Sequence, residues 1–187
     1  MARGEAMDVD FDQATLARAV RASEALLIRF TAGFDEHTKT RQAPGLPNHA
    51  AWTLGHLAMT VHRAADRVAG YERDEPLPQT DFVTGDGTAG DPSRYDTETV
   101  CFGSTPQAEP GMYPRWPRCL EIYREANARL VGEVSGALDE RLSRAVRWGD
   151  SSVVVGDLVG RMVFHGGVHA GQLIDLRRAL GFERVVG

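Results

Sequence analysis

Apolar residues recur at intervals of three and four along four stretches of this chain, the periodicity of helices with one buried face. The first stretch covers 11–34, with Leu16, Val20, Leu27, Phe30 and Phe34 on its stripe. Asp8, Asp10 and Asp12 stand at its start, where acids suit the positive end of a helix dipole. Pro44-Gly45-Leu46-Pro47 then forbids helix, and Asn48 offers an N-cap. A second helix is predicted over 49–69, with Leu54, Leu57, Val61, Ala65 and Val68 inward and Gly70 closing it. Trp52, His56 and Met59 fall on an adjoining face.

Between 71 and 114 the pattern breaks. Six prolines and five glycines preclude a long regular element, yet Tyr95, Val100, Cys101, Phe102, Met112, Tyr113 and Trp116, just past it, are too apolar for a merely solvated segment. This crossover is expected to pack over one end of the helices. A third helix is predicted over 117–138, with Leu120, Tyr123, Asn127, Leu130, Val134 and Ala137 on one face. A connector over 139–148, with room for a short helix, leads to Gly149-Asp150-Ser151-Ser152, which offers several N-caps. The fourth helix runs to 180, on the stripe Leu158, Met162, His165, His169, Leu173, Leu176 and Leu180, closed by Gly181. The expected fold is all-α: an up-and-down four-helix bundle with a long crossover between helices 2 and 3, forming one domain over 1–187.

Two positions of that last stripe carry imidazoles where leucines belong. Residues i and i+4 of a helix point the same way one turn apart, so His165 and His169 can reach one ion. Two buried neutral imidazoles need partners for their ring nitrogens, and a divalent metal supplies one. A mononuclear catalytic site takes about three protein ligands and keeps a position open. His56 is the best third candidate, lying mid-helix beside an apolar stripe and next to Gly55, which leaves room for close approach. The bland alternative is a hydrogen-bonded core histidine. Of the others, His62 turns to a different face, His49 lies two turns before His56, and His37 sits in a polar connector. Gly166 and Gly167 each cost about 1 kcal/mol against alanine inside a helix, which implies close approach by a neighbour or a ligand. A three-histidine site suits Zn²⁺, Ni²⁺ or Fe²⁺, and affinity order alone does not choose among them.

Charge and composition narrow the partners. A net charge of −5 without a basic stripe argues against nucleic acid. No stretch approaches the roughly 20 apolar residues of a membrane span, and the first ten residues lack the apolar core of a signal peptide. Cys101 and Cys119 have neither metal-site nor disulfide-scaffold spacing, so a reducing cytoplasm is the expected setting. The cationic residues are arginines apart from Lys39.

The run Trp52-Thr53-Leu54-Gly55-His56-Leu57, followed by His165-x-x-x-His169-x-Gly171-Gln172-Leu173, resembles the DinB-like (DinB/YfiT-like) superfamily of metal-dependent enzymes. The resemblance reaches from the first helix to Leu180, and the later motif is the more specific. It implies a four-helix bundle, often a homodimer, with a divalent metal on the histidines matching His56, His165 and His169. Several such relatives use low-molecular-weight thiols: mycothiol-dependent maleylpyruvate isomerases, bacillithiol S-transferases and the bundle domain of sulfoxide synthases. Others are described as hydrolases or as DNA-damage-inducible proteins. This chain departs from the common pattern in Gly166-Gly167-Val168, where bulkier or charged residues are frequent, and the pocket is expected to widen there.

The leading expectation is a mononuclear metalloenzyme acting on a small molecule, in which the ion activates a thiol cosubstrate for S-transfer or isomerisation. A metal-bound hydroxide attacking a carbonyl would make it a hydrolase instead. The missing HExxH glutamate favours thiolate chemistry. A metal-binding or stress-response bundle without catalysis is the third reading. Trp52, Arg161 and Gln172, with the loop aromatics Tyr113 and Trp116, are candidate substrate contacts, each with ordinary packing or solvation as its alternative. Tyr95 joins the loop aromatics as a residue that can close over a ligand.

Overall fold

The computed structural model describes residues 11–71, 95 and 97–185. Asp8, Asp10 and most of the proline- and glycine-rich part of the crossover lie outside the described residues. The protein is mostly helical. Its long helices are α1 (Gln13–Phe30), α2 (Ala50–Ala69), α4 (Trp116–Ser135) and α6 (Val155–Ala179), with four-residue helices α3 (Thr97–Val100) and α5 (Asp139–Leu142) between them. A 3₁₀ turn covers Pro110–Met112. α1 and α2 each lie against both α4 and α6. The core they enclose includes the expected stripes: Val20, Leu27 and Phe30 of α1, Leu54, Leu57 and Val68 of α2, Tyr123, Leu130 and Val134 of α4, and Leu158, Leu173 and Leu176 of α6. Among the described residues, no helix is long and apolar enough to cross a membrane.

The helix ends differ from expectation by a few residues, each for a local reason. α1 starts after Asp12, whose carboxylate accepts from the Ala14 amide, and stops at Phe30 because the chain turns through Gly33 at φ +85°. Phe34 still reaches the core, from the turn rather than the helix. The N-cap of α2 is His49, not Asn48: its Nδ1 accepts the Trp52 amide at 3.1 Å. Asn48 instead bonds Gln172 of α6.

The largest departure is at Gly149-Asp150-Ser151-Ser152. These residues do not cap a helix; they turn a β-hairpin of β1 (Ala145–Trp148) and β2 (Ser151–Val154). Gly149, at φ +60°, begins a two-residue turn that pairs Trp148 with Ser151. Val146 and Val153 oppose each other and are buried, the period-2 pattern of a strand pair with one covered face. Arg67, near the end of α2, ties the hairpin down: its Nε donates to the Arg147 carbonyl at 3.3 Å.

The described part of the crossover returns to α2. Tyr95 is fully buried, its hydroxyl donating to the Ala51 carbonyl at 2.8 Å and its ring lying against Gly55. Farther on, buried Lys39 donates to Glu36 at 2.6 Å and to the Pro114 carbonyl at 2.8 Å, pinning the crossover where it enters α4.

Candidate metal centre

His56 is held by its helix neighbours and by the crossover. Its Nδ1 lies 2.9 Å from the carbonyl of Val100, one of the C-terminal carbonyls that α3 leaves without helical partners. An N–H at Nδ1 therefore donates there and leaves the Nε2 lone pair available as a ligand. One turn earlier, the Trp52 indole stacks on the His56 ring, with centroids 4.6 Å apart and planes within 9°. Trp52 is fixed in turn, its Nε1 donating to Ser104 at 2.9 Å and the Ser104 hydroxyl donating to the Thr99 carbonyl.

The other two histidines come from α6. His165 and His169 bring their Nε2 atoms within 3.1 Å, and their rings lie 5.2 and 5.3 Å from that of His56, centre to centre. The three ligand atoms all lie within 4.8 Å of one another. Around a tetrahedral ion with bonds of about 2.1 Å, ligand nitrogens stand about 3.4 Å apart, so the rings need to close by about 1 Å to share one ion. The donor set also fits a cation: it is all nitrogen, with no carboxylate among the clustered groups. Behind it, the Gln172 side chain bonds His169 and accepts from Asn48 at 3.2 Å.

Burial is the first cause of the electrostatics here. It pushes His165 down to about 4, with His56 adding a smaller repulsion, and His169 down to about 3, with help from both neighbouring rings. The pKa of His56 is also lowered, again mainly by burial and against the pull of the Val100 carbonyl. Burial thus favours the neutral form of all three imidazoles, whose lone pairs meet less competition from protons.

A cavity of about 690 Å³ opens beside this cluster, touching His56 and His165 and running towards the end of α2 and the start of α6. Met59, Thr60, Arg63 and Arg67 of α2 form one side, and Arg161, Met162 and Phe164 of α6 the other. The hairpin contributes Arg147, Trp148, Gly149 and Asp150, and the crossover Phe102. The candidate contacts thus separate by position. Arg161 lines the cavity. Trp52 and Gln172 lie behind the histidines, buttressing His56 and His169. Tyr113 and Trp116 are buried elsewhere: Tyr113 packs edge-on against His49, its hydroxyl accepting the Gln107 amide at 2.8 Å, and Trp116 packs on Phe34. Tyr95 packs under α2 rather than over the cavity.

Sequence reasoning missed Arg63, the hairpin wall and the Val100 carbonyl. Arg63 had a signal, since it lies seven residues after His56 and so on the same helical face. The glycines of α6 do not line the cavity. Gly166 faces α1, where an added Cβ would meet the Ser23 hydroxyl oxygen at 2.7 Å, and Gly167 faces open space. His62 is buried between α2 and α4, 3.4 Å from Arg129, which pairs with Asp66 at 2.6 Å.

A sequence profile described as the DinB superfamily matches residues 16–173, a span that includes all three histidines. The chain belongs to the DinB superfamily. Among solved structures, this DinB protein is similar to a crystal structure described as the conserved protein of locus from Enterococcus faecalis. That likeness covers 90% of this chain and 96% of the other at 12% identity, with a TM-score of 0.63, and it bears on the fold alone. No curated protein matches the sequence. Membership of the DinB superfamily and a three-histidine cluster are together compatible with a metal-dependent function.

Proposed function

We propose that this DinB protein is a mononuclear metal-dependent enzyme that activates a low-molecular-weight thiol for S-transfer or isomerisation, on a four-helix bundle. In that bundle α2 and α4 run parallel, so that the long crossover replaces the expected up-and-down order. The observation that carries the reading is the convergence of His56, His165 and His169 beside an open cavity rather than within a sealed core. Those three residues would hold the ion, leaving a position for a ligand that enters from the cavity. A divalent ion there lowers the pKa of a bound thiol or water, supplying a nucleophile near neutral pH.

The chain's own groups do the rest. The Val100 carbonyl and the Trp52 ring fix the tautomer and plane of His56. Met59, Met162, Phe102 and Phe164 give the reacting molecule an apolar wall that limits water around it. Among the described residues, the cavity lining has one carboxylate, Asp150, and it comes from the hairpin rather than from the helices that carry the histidines. A thiol bound at the ion needs no such base to become a nucleophile, which is why we favour it over water.

Metal analysis tests the proposal. Protein purified without added metal is expected to carry about one equivalent of a transition metal, lost in His165→Ala and His169→Ala while helical content is retained. Equally negligible metal in the wild type and both variants, including after incubation with Zn²⁺, would reduce the cluster to packing.

A further inference from the structure

The lining of the cavity is polarised. At one end are His56 and His165; beyond them the walls carry Arg63 and Arg161, both exposed. Neither guanidinium has an ion-pair or hydrogen-bond partner among the described residues. This distinguishes them from Arg67, committed to the Arg147 and Tyr71 carbonyls, and from Arg147, whose Nε donates to Gly149. Beside these arginines the lining is largely apolar, from Met59, Met162 and the rings of Phe102 and Phe164, which are 94% and 75% exposed, with Thr60 the polar residue between His56 and Arg63 on α2. Two exposed phenylalanines facing one cavity are an unusual expense of apolar surface unless a ligand covers them.

The helix rise gives the span. Arg161 precedes His165 by four residues, about 6 Å along α6, and Arg63 follows His56 by seven, about 10 Å along α2. We infer that the cavity takes an elongated small molecule with its reactive group at the histidines, an apolar middle, and a carboxylate or phosphate about 6–10 Å away, held by Arg63 and Arg161. Guanidinium suits such oxyanions because its planar fork donates two parallel hydrogen bonds. The inference rests on the proposed function only for the identity of the reactive end; the anion-binding end stands on the cavity itself.

Its test begins with metal-free protein, so that the two readings fail separately. Tryptophan fluorescence, to which Trp148 in the cavity wall contributes, is followed during titration with hexanoate, phenylphosphonate and uncharged hexanol. At least one anion is expected to saturate the signal and to bind about fivefold or more tighter than hexanol. Arg63→Gln and Arg161→Gln are each expected to weaken the anion about fivefold, as exposed charge pairs do, and to leave hexanol unchanged. The tighter of the two anions identifies the group the arginines accept. Equal binding of hexanol and both anions, or unchanged anion binding in the double variant with its circular dichroism intact, overturns the inference. In a second arm, Co²⁺-loaded protein is titrated with 6-mercaptohexanoate and 3-mercaptopropionate, reading the thiolate-to-cobalt absorption. The longer compound is expected to bind at least fivefold tighter, an advantage lost in Arg63→Gln. Equal affinities would refute the span; no thiolate band with either compound, alongside intact anion binding by fluorescence, would refute the thiol reading and leave the anion site standing.

Discussion

Gly55→Ala tests how the crossover positions His56. A Cβ built on Gly55 meets the Tyr95 ring at 2.6, 2.7 and 2.9 Å, where carbon atoms normally rest at about 3.5–4.0 Å. The ring must retreat by about 1 Å, and it is fully buried with its hydroxyl tied to Ala51. Overpacking of this kind costs about 1–3 kcal/mol, and a weakened Tyr95 hydrogen bond adds about 1. Alanine's better helix propensity returns about 1. The net expectation is a loss of about 2 kcal/mol, a fall in Tm of about 4–8 °C for a chain of this size. Thermal unfolding by circular dichroism measures it, and Tyr95→Ala supplies the control. Without the ring, Gly55→Ala is expected to be neutral or stabilising by up to about 1 kcal/mol, a coupling of about 2–3 kcal/mol between the two sites. Additive effects in the double variant, or an unchanged Tm for Gly55→Ala alone, would refute the placement of Tyr95 on α2.

Other expectations follow from buried polar groups. Burial holds His49 down to about 4, below its ordinary 6.5, so the folded state disfavours its protonation; the stability this contributes is present above pH 6.5 and is lost as pH falls towards 4, by about 3 kcal/mol in all. His49→Asn keeps an N-cap oxygen, so urea unfolding at a series of pH values should show a shallower acid loss, and an unchanged slope would rule His49 out as a cause. Lys39→Met is expected to cost about 2–4 kcal/mol, since it strands the Pro114 carbonyl and releases the half-exposed Glu36; a loss below 1 kcal/mol would deny Lys39 its anchoring role. The Cys119 thiol is buried and pushed up to about 12, so one thiol per chain should stay silent to an aromatic disulfide reagent until the protein unfolds, while Cys101 reacts. Two fast thiols in the native state would contradict that burial.

The legible parts of this fold were those written by periodicity. The stripes of α1, α2, α4 and α6 follow three-and-four spacing over 18 residues or more, and tertiary packing did not override them. His165 and His169 were readable for the same reason, since one helix sets their relation. Their meeting with His56 depends on the pairing of α2 with α6, and there the family resemblance did what spacing within a single element does not. The hairpin escaped because four-residue strands are too short to show period 2 clearly, and Gly149-Asp150-Ser151-Ser152 has both turn and cap chemistry. Val100 was invisible in principle: its part in holding His56 is played by a backbone oxygen, which every residue carries.

The β1–β2 hairpin has a consequence for how such a protein can be retooled. The histidines depend on α2, α6 and the crossover, whereas a share of the cavity wall belongs to a short hairpin that meets the helices near the start of α6 and at Arg67. Lengthening or recolouring its tip carries only a small entropic penalty and leaves the imidazoles untouched. Diversification of ligand choice can therefore proceed at that tip while the chemistry beneath it is inherited unchanged.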